Sequence, residues 1–207
     1  MNREATKKTY NQIALSWKNL HAQDTWGNEG RSKFIRLLKK GDHILDVGCG
    51  TGLYSNYLVT HGLKVTGFDF AENMVDLAQK TVPAADFKIW DIYDIDKFPG
   101  SYAGIFANAV FLHVPKKDLP SLLEKTAAKL EKGGYIYISV KERRPDQPEE
   151  IIVKDTKYGN PCERFFSLYL MDELKKYVAD AGLKTVYEHL DANTEWKNNW
   201  LILIAKK

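Results

Sequence analysis

The chain has 207 residues, a formal net charge of +3 and a hydrophobic content of 44%. This length suits one domain of roughly 100–200 residues with a modest insertion, and the apolar content is enough for a packed core. A charge so near balance does not favour nucleic acid or an anionic membrane as a partner. With no apolar leader and no apolar run of about 18 residues, we expect one cytoplasmic domain spanning 1–207 without membrane association.

The first 42 residues have the spacing of amphipathic helices. Apolar residues recur at helical intervals in two stretches, namely Tyr10, Ile13, Ala14 and Trp17, and then Phe34, Ile35 and Leu38. Residues 24–30 (DTWGNEG) separate the two stretches and predict a loop.

From residue 43 onward, strands and helices alternate along the chain. The predicted strands are 43–47, 64–68, 86–90, 102–107 and 135–140, and the predicted helices are 53–60, 72–80 and 116–130. We expect the last of these helices to end at the pair Gly133-Gly134. Such alternation implies a parallel sheet that is covered by helices on both faces.

The alternation stops at Lys141. Residues 141–163 are polar and rich in Pro, Gly and Asn, which predicts an irregular segment. A helix at 171–181 and strands at 183–190 and 200–205 follow. This order favours an antiparallel hairpin at one edge of the sheet.

Residues 44–52 (ILDVGCGTG) form a glycine-rich turn between a strand and a helix. Such a turn places a binding site at the carboxyl end of the strand, and its glycines let the backbone pass close to a ligand. A dinucleotide fingerprint requires a third glycine at position 53, where this chain has leucine. The turn therefore disfavours a nicotinamide dinucleotide.

Three carboxylates are predicted to surround the same crevice. Asp69 ends the second strand about 20 residues beyond the turn, where a carboxylate accepts hydrogen bonds from a ribose diol. Asp46 precedes the first glycine, beside the expected position of a cationic ligand group, and Asp91 follows the third strand, where it would accept from an adenine amino group. Three negative charges oppose a pyrophosphate and favour a nucleoside that carries an ammonium and a sulfonium.

The chain resembles the class I S-adenosylmethionine-dependent methyltransferases, of the small bacterial type grouped with ubiquinone-biosynthesis and tellurite-resistance methyltransferases. The resemblance covers nearly the whole chain and depends on residues 44–52, 65–74 (VTGFDFAENM) and 130–135 (LEKGGY). It implies an α/β, Rossmann-like fold whose seven-stranded sheet has the order 3-2-1-4-5-7-6, with strand 7 antiparallel and helices on both faces. It also implies S-adenosylmethionine as the cofactor.

By position, the resemblance implies a cofactor site at the ends of several strands. Asp69 would hold the ribose, with Asp46 close to the glycine turn. The methionine part would lie against residues of the turn and of the end of strand four, Gly48, Cys49, Gly50, Asn108 and Ala109. The adenine would lie among residues that follow strands two and three, Phe70, Met74, Asp91 and Ile92.

Residues 1–42 would form a helical lid in such a protein. Tyr10 and Trp17 would close over the cofactor, and Lys33 is near enough in sequence to the first strand to reach the cofactor's carboxylate.

The sequence indicates the residues of the acceptor side less clearly than those of the cofactor site. His113 follows strand four and is the candidate general base, although a histidine there can also merely shape the pocket or cap a helix. Residues 141–167 are interpreted as a substrate-side insertion in which Arg143, Arg144 and Arg164 bind an acceptor carboxylate or phosphate, with a solvated loop as the alternative. The other histidines share no ligand spacing, so we expect no metal.

A small-molecule acceptor is favoured because the insertion is short and the charge is nearly balanced. A tRNA-modifying methyltransferase and a non-catalytic S-adenosylmethionine-binding protein remain alternatives. We expect a monomer or a weak homodimer.

Overall fold

The computed structural model describes residues 3–22, 27–193 and 198–207. Within them the helices are α1 (Arg3–His21), α2 (Asn28–Arg36), α3 (Leu53–Thr60), α4 (Glu72–Thr81), α5 (Leu119–Ala128) and α6 (Met171–Asp180). The strands are β1 (His43–Val47), β2 (Lys64–Asp69), β3 (Asp86–Ile89), β4 (Tyr102–Asn108), β5 (Leu130–Lys141), β6 (Glu150–Asp155), β7 (Cys162–Ser167), β8 (Lys184–Asn193) and β9 (Asn198–Lys206). Two short 3-10 helices span Ile92–Lys97 and Phe111–His113.

The central sheet has seven strands in the order β3-β2-β1-β4-β5-β9-β8. Strands β1 to β5 are parallel to one another, and β9 is antiparallel to both β5 and β8. The strands β6 and β7 form a separate hairpin. Counted without that hairpin, the order is 3-2-1-4-5-7-6, so the predicted fold class and the antiparallel edge hairpin are confirmed.

Helices bury apolar side chains on both faces of this sheet. One layer packs α5 and α6 against it through residues such as Leu122 and Leu174. The other layer packs α2, α3 and α4 against it through residues such as Phe34, Leu58 and Ala78. With both faces covered, the open edge at the carboxyl ends of the parallel strands is where a ligand has access.

The hairpin β6–β7 corrects the prediction of an irregular segment at 141–163. Ile151 and Val153 alternate with more exposed neighbours in β6 and pack against the core. In β7 the buried residues Cys162, Arg164 and Phe166 alternate in the same way. The period of two was present in the sequence, but the surrounding turn-forming residues outweighed it.

Two other predicted boundaries were wrong. Helix α5 ends at Ala128, and the Gly133-Gly134 pair lies inside β5. A Cβ on Gly134 would lie 2.8 Å from the carbonyl oxygen of Ala103 on β4, so this glycine permits close approach of two strands where their register shifts. Residues 28–30 of the predicted loop are helical, and residues 23–26 lie outside the described part of the chain.

No helix among the described residues is long and apolar enough to cross a membrane.

Candidate functional site

A pocket lies at the carboxyl ends of the parallel strands, between the glycine turn, α1 and the hairpin β6–β7. It brings together most of the residues that the sequence had suggested from separate parts of the chain. Those lining it are Tyr10, Trp17, Gly48, Cys49, Gly50, Asp69, Phe70, Met74, Asp91, Ile92, Asn108, Ala109, His113 and Arg164.

The glycine turn connects β1 to α3 through left-handed backbone conformations. Gly48 and Gly50 have φ angles of 66° and 53°. A Cβ on Gly48 would lie 2.7 Å from Val110, whereas one on Gly50 would meet no atom within 4 Å. Gly48 is therefore required for both conformation and space, and Gly50 leaves the pocket open beside the backbone.

Asp69 is tied to this turn at the end of β2. One carboxylate oxygen accepts a hydrogen bond from the Gly50 N–H at 3.1 Å, and the other accepts from the Ala71 N–H at 2.9 Å. Burial nevertheless raises the pKa of Asp69 to about 6. Each oxygen retains accepting capacity, so the carboxylate is held in place and still able to accept from a ligand hydroxyl.

Asp46 lies beneath the pocket rather than in its wall. Only 2% of this residue is exposed, and its side chain accepts a hydrogen bond from the Ser55 hydroxyl. Burial raises the pKa of Asp46 to about 7, and the nearby charge of Asp69 acts in the same direction. The strand turns this side chain toward Ser55 of α3, so contact between Asp46 and the ligand stays a prediction from the sequence.

The end of β3 forms the wall on the side predicted for the adenine. The Asp91 carboxylate accepts from the Tyr93 N–H at 3.0 Å and pairs with the guanidinium of Arg3 on α1. Trp90 and Ile92 line the pocket on either side of it. Aromatic and aliphatic walls with one carboxylate acceptor suit a flat heterocycle that bears an amino group.

The end of β4 carries a strained residue at the pocket wall. Ala109 has a φ angle of 57°, although it is not a glycine. Its N–H donates to the Ser139 hydroxyl at 3.0 Å, and that hydroxyl donates to the side-chain oxygen of Asn108 at 2.9 Å. Strain of this kind costs roughly 1–2 kcal/mol and is typical of backbone that is shaped for a ligand.

Helix α1 covers the pocket with one of its faces. The lining residues follow helical spacing and are Arg3, Thr6, Tyr10, Trp17 and His21. The helix is held to α4 by Lys7 and Asn11, whose nitrogens lie 2.5 and 2.6 Å from the Glu72 carboxylate, and to β7 by the hydroxyl of Thr9, which donates to the Glu163 carbonyl.

His113 faces Tyr10 across the pocket. The ring nitrogen Nδ1 lies 2.8 Å from the Phe165 carbonyl oxygen, which can only accept, so Nδ1 carries the proton. The other nitrogen, Nε2, then accepts from the Tyr10 hydroxyl at 2.7 Å. Burial, together with the nearby charges of Arg164 and Lys141, lowers the pKa of His113 to about 3. The imidazole is therefore neutral, with its lone pair directed at Tyr10.

Beyond this pair, the pocket wall is cationic and aromatic. Arg164 is 7% exposed, donates to the Asp155 carboxylate at 2.5 Å and donates to the Tyr158 hydroxyl at 3.2 Å. Lys141, at the end of β5, lies with its Nζ 4.4 Å from the centroid of the Phe166 ring. This end of the pocket is thus opposite in charge to the end that contains Asp69 and Asp91.

Three predicted basic residues lie outside the pocket. Arg143 donates to Glu149 at 2.8 Å, and Arg144 lies 3.7 Å from Asp146. The backbone N–H of Arg143 donates to the Tyr169 carbonyl, which directs the chain away from the pocket after Lys141. Lys33 is exposed, because α2 buries Phe34 against the sheet.

Other lining residues were not predicted from the sequence. Arg3, Thr6 and His21 share the face of α1 that carries Tyr10 and Trp17, so helical spacing could have identified them. Trp200 on β9 reaches the pocket because β9 pairs with the end of β5.

Comparison with known proteins identifies the fold and family. A family profile described as "Methyltransferase domain" matches residues 21–188. The ubiquinone biosynthesis O-methyltransferase of Coxiella burnetii is 32% identical over 59% of this chain, and the match spans only 58% of that relative.

Solved structures agree with this profile. A Burkholderia thailandensis 1,6-didemethyltoxoflavin-N1-methyltransferase superposes with a TM-score of 0.78 at 17% identity, covering 99% of this chain and 88% of that one. TehB from Haemophilus influenzae superposes with a TM-score of 0.70 at 19% identity, covering 92% and 65%. The chain belongs to the methyltransferase domain family and has the Rossmann-like fold of the class I S-adenosylmethionine-dependent methyltransferases.

Proposed function

We propose that this chain transfers a methyl group from S-adenosylmethionine to a small-molecule acceptor. The observation that carries the proposal is one pocket in which the glycine turn and Asp69 face the Tyr10–His113 pair. A cofactor site and a candidate proton acceptor thereby share one cavity.

The donor end fits the cofactor in its chemistry. Asp69 would accept from the ribose hydroxyls, and Asp91 would accept from the adenine amino group. Gly48, Gly50 and the strained Ala109 backbone would lie against the methionine part. When bound, S-adenosylmethionine supplies a methyl group on a sulfonium, which is already an activated leaving group, so the contribution of the protein is mainly alignment.

His113 is the candidate for moving a proton. Its Nε2 carries no proton at neutral pH, because burial keeps the pKa of the ring low. An acceptor hydroxyl or amine that replaced the Tyr10 hydroxyl would donate its hydrogen bond to Nε2, which would take the proton as the acceptor is alkylated. The Phe165 carbonyl fixes the ring orientation that this requires.

Helix α1 would act as the lid predicted for residues 1–42. Its contacts with α4 and β7 close the pocket above the donor and acceptor ends, so exchange of ligands requires them to break. Residues 141–167 would form the acceptor side. Cytoplasmic location and a monomeric or weakly dimeric state stay predictions from the sequence.

The comparisons support a small acceptor. The Burkholderia structure holds 1,6-didemethyltoxoflavin together with S-adenosylhomocysteine. The Coxiella relative is named for ubiquinone biosynthesis, but this chain matches only part of it. The hairpin β6–β7 also forms the wall on the acceptor side of the pocket, which favours a ligand small enough to fit inside the pocket.

Ligand binding and turnover test this proposal separately. S-adenosylhomocysteine should raise Tm, with a stabilisation of about 2.7 kcal/mol at 100 times its Kd, and NADH should not. Transfer of a radiolabelled methyl group to components of a small-molecule extract would then establish turnover. A shift with NADH alone would refute the cofactor, and binding without transfer would leave a non-catalytic binding protein.

A further inference from the structure

The acceptor end of the pocket holds more positive than negative charge. Lys141 and Arg164 line it. The Arg164 guanidinium pairs with the Asp155 carboxylate at 2.5 Å, and Lys141 adds a second cation beside this pair. A buried excess of one charge is unfavourable unless a counter-charge arrives.

Lys141 provides the strongest evidence for a missing counter-charge. Its Nζ lies against the Phe166 ring at 4.4 Å and the Trp200 ring at 5.9 Å. No described residue accepts a hydrogen bond from this ammonium or forms an ion pair with it. Burial and the nearby charges of Arg164 and Lys157 lower the pKa of Lys141 to about 8. The ammonium thus retains its donors for a ligand.

Arg164 lies beside Lys141 with spare donor capacity. Two of its nitrogens donate to Asp155 and Tyr158, while its Nε–H has no acceptor among the described residues. Both cations contact the Phe166 ring, so they border one space. The His113 ring lies 5.0 Å from the same Phe166 ring, centroid to centroid, which places that space next to the candidate base.

Aromatic side chains enclose the same space. The ring-bearing residues that line the pocket here are Tyr10, Trp17, Tyr158, Phe166 and Trp200. Flat walls of this kind favour a planar ligand, and their electron-rich faces already stabilise the cations without neutralising them. A planar anion would satisfy both the walls and the charge.

We propose that Lys141 and Arg164 bind the carboxylate of a planar aromatic acceptor, beside the atom whose proton His113 receives. This inference rests on the proposed methyl transfer, since it names the acceptor class of the same site. It predicts that a neutral isostere of the acceptor binds poorly, because Lys141 would keep no counter-charge and the Arg164 Nε–H would keep no acceptor.

The test compares aromatic carboxylates with their carboxamides on protein saturated with S-adenosylhomocysteine. Benzoate, salicylate, anthranilate and quinaldate are titrated calorimetrically beside the matched amides. We expect at least one carboxylate to bind about tenfold or more tightly than its amide, as for a charge-assisted hydrogen bond. Lys141→Met should abolish that preference and Lys141→Arg should restore most of it.

Lys154→Met is the matched control, since Lys154 is an exposed lysine of the same hairpin that pairs with Glu163. It should leave carboxylate affinity unchanged. In the wild type, affinity should fall as pH rises through about 8, because Lys141 loses its proton there, and Lys141→Met should remove this dependence.

Equal binding of acids and amides, an absence of binding by the whole panel, or an unaffected Lys141→Met variant would each overturn the inference while S-adenosylhomocysteine still binds. If S-adenosylhomocysteine itself failed to bind, the proposed function would fail and this inference with it.

Discussion

The two ends of the pocket carry opposite charges, and at both ends burial shifts the pKa of one residue toward its uncharged form. At the donor end, burial raises the pKa of Asp69 to about 6, and at the acceptor end burial lowers the pKa of Lys141 to about 8. In both cases burial is the main cause that disfavours the charged form, and at the acceptor end the charges of Arg164 and Lys157 act in the same direction. This difference agrees with a cationic donor at the end that contains Asp69 and with the anionic acceptor that we propose at the end that contains Lys141. The neutral Tyr10–His113 pair lies between them.

The largest expected effect is a loss of turnover on changing His113, which lies between the two ends. His113→Ala should reduce kcat about 100-fold, the lower range for loss of a general base, while Kd for S-adenosylhomocysteine changes less than about threefold. Single-turnover methyl transfer and calorimetry on the same preparation measure both quantities.

His113→Asn and Tyr10→Phe serve as controls for this variant. Asparagine retains a donor for the Phe165 carbonyl, so folding should be preserved while the base is lost. Tyr10→Phe leaves Nε2 without its donor and should cost far less turnover than His113→Ala. Unchanged turnover in His113→Ala would reduce His113 to a residue that shapes the pocket.

The next largest expected effect is a loss of cofactor affinity on changing Asp69 at the donor end. Asp69→Ala should weaken S-adenosylhomocysteine roughly 10- to 100-fold, since a hydrogen bond to a charged group contributes about 1.5–3 kcal/mol. Asp86→Ala, at the exposed start of β3, should leave the affinity unchanged. Calorimetry measures both, and Tm checks that the turn survives. Equal affinities would show that the ribose lies elsewhere.

The same carboxylate predicts a pH dependence. Because the folded-state pKa of Asp69 is raised, its charged form is disfavoured in the free protein, and stability rises as pH falls through about 6 and the group is protonated. Ligand binding requires the carboxylate, so affinity for S-adenosylhomocysteine should weaken as pH falls through the same range. Titrations across this range check the sign, and Asp69→Asn should be insensitive to it.

The residues of the donor end could be predicted from sequence more fully than those of the acceptor end, where His113 and Arg164 were identified but their contacts were not. Gly50 and Asp69, which hydrogen-bond to each other, are 19 residues apart in one strand–helix–strand unit whose local pattern determines their geometry. Tyr10 and His113 are 103 residues apart, and His113 and Phe165 are 52 apart. Those contacts depend on how α1 and the hairpin pack, which no local periodicity encodes.

The basic residues show the same limit of prediction from sequence. Arg143 and Arg144 were predicted as acceptor ligands because they follow β5 directly, yet they pair with neighbouring carboxylates outside the pocket. Lys141, two residues earlier, reaches the pocket because β9 and the hairpin surround the end of β5. Sequence position located the correct edge of the sheet and could not tell which cation would turn inward.

A smaller effect is expected from reshaping the glycine turn. Gly48→Ala should destabilise the protein by about 2 kcal/mol, because a Cβ at a φ of 66° is strained and would lie 2.7 Å from Val110. Gly182→Ala, with a φ of 77° and no atom within 4 Å of its Cβ, carries the conformational strain alone. Urea unfolding should therefore show a larger loss for Gly48→Ala, and equal losses would remove the steric argument.

The smallest effect in free energy concerns the lid. Glu72 links Lys7 and Asn11 of α1 to α4, and its side chain is 44% exposed, so Glu72→Ala should lower stability by less than about 1 kcal/mol. Glu188→Ala breaks a similar exposed pair with Lys175 far from the lid and should cost about the same.

The two variants should differ in hydrogen exchange. Amides of α1 should exchange several-fold faster only in Glu72→Ala, because this pair holds the helix over both ends of the pocket. Identical protection in the two variants would mean that α1 opens independently of its contact with α4, and that its packing on β7 through Thr9 controls entry instead.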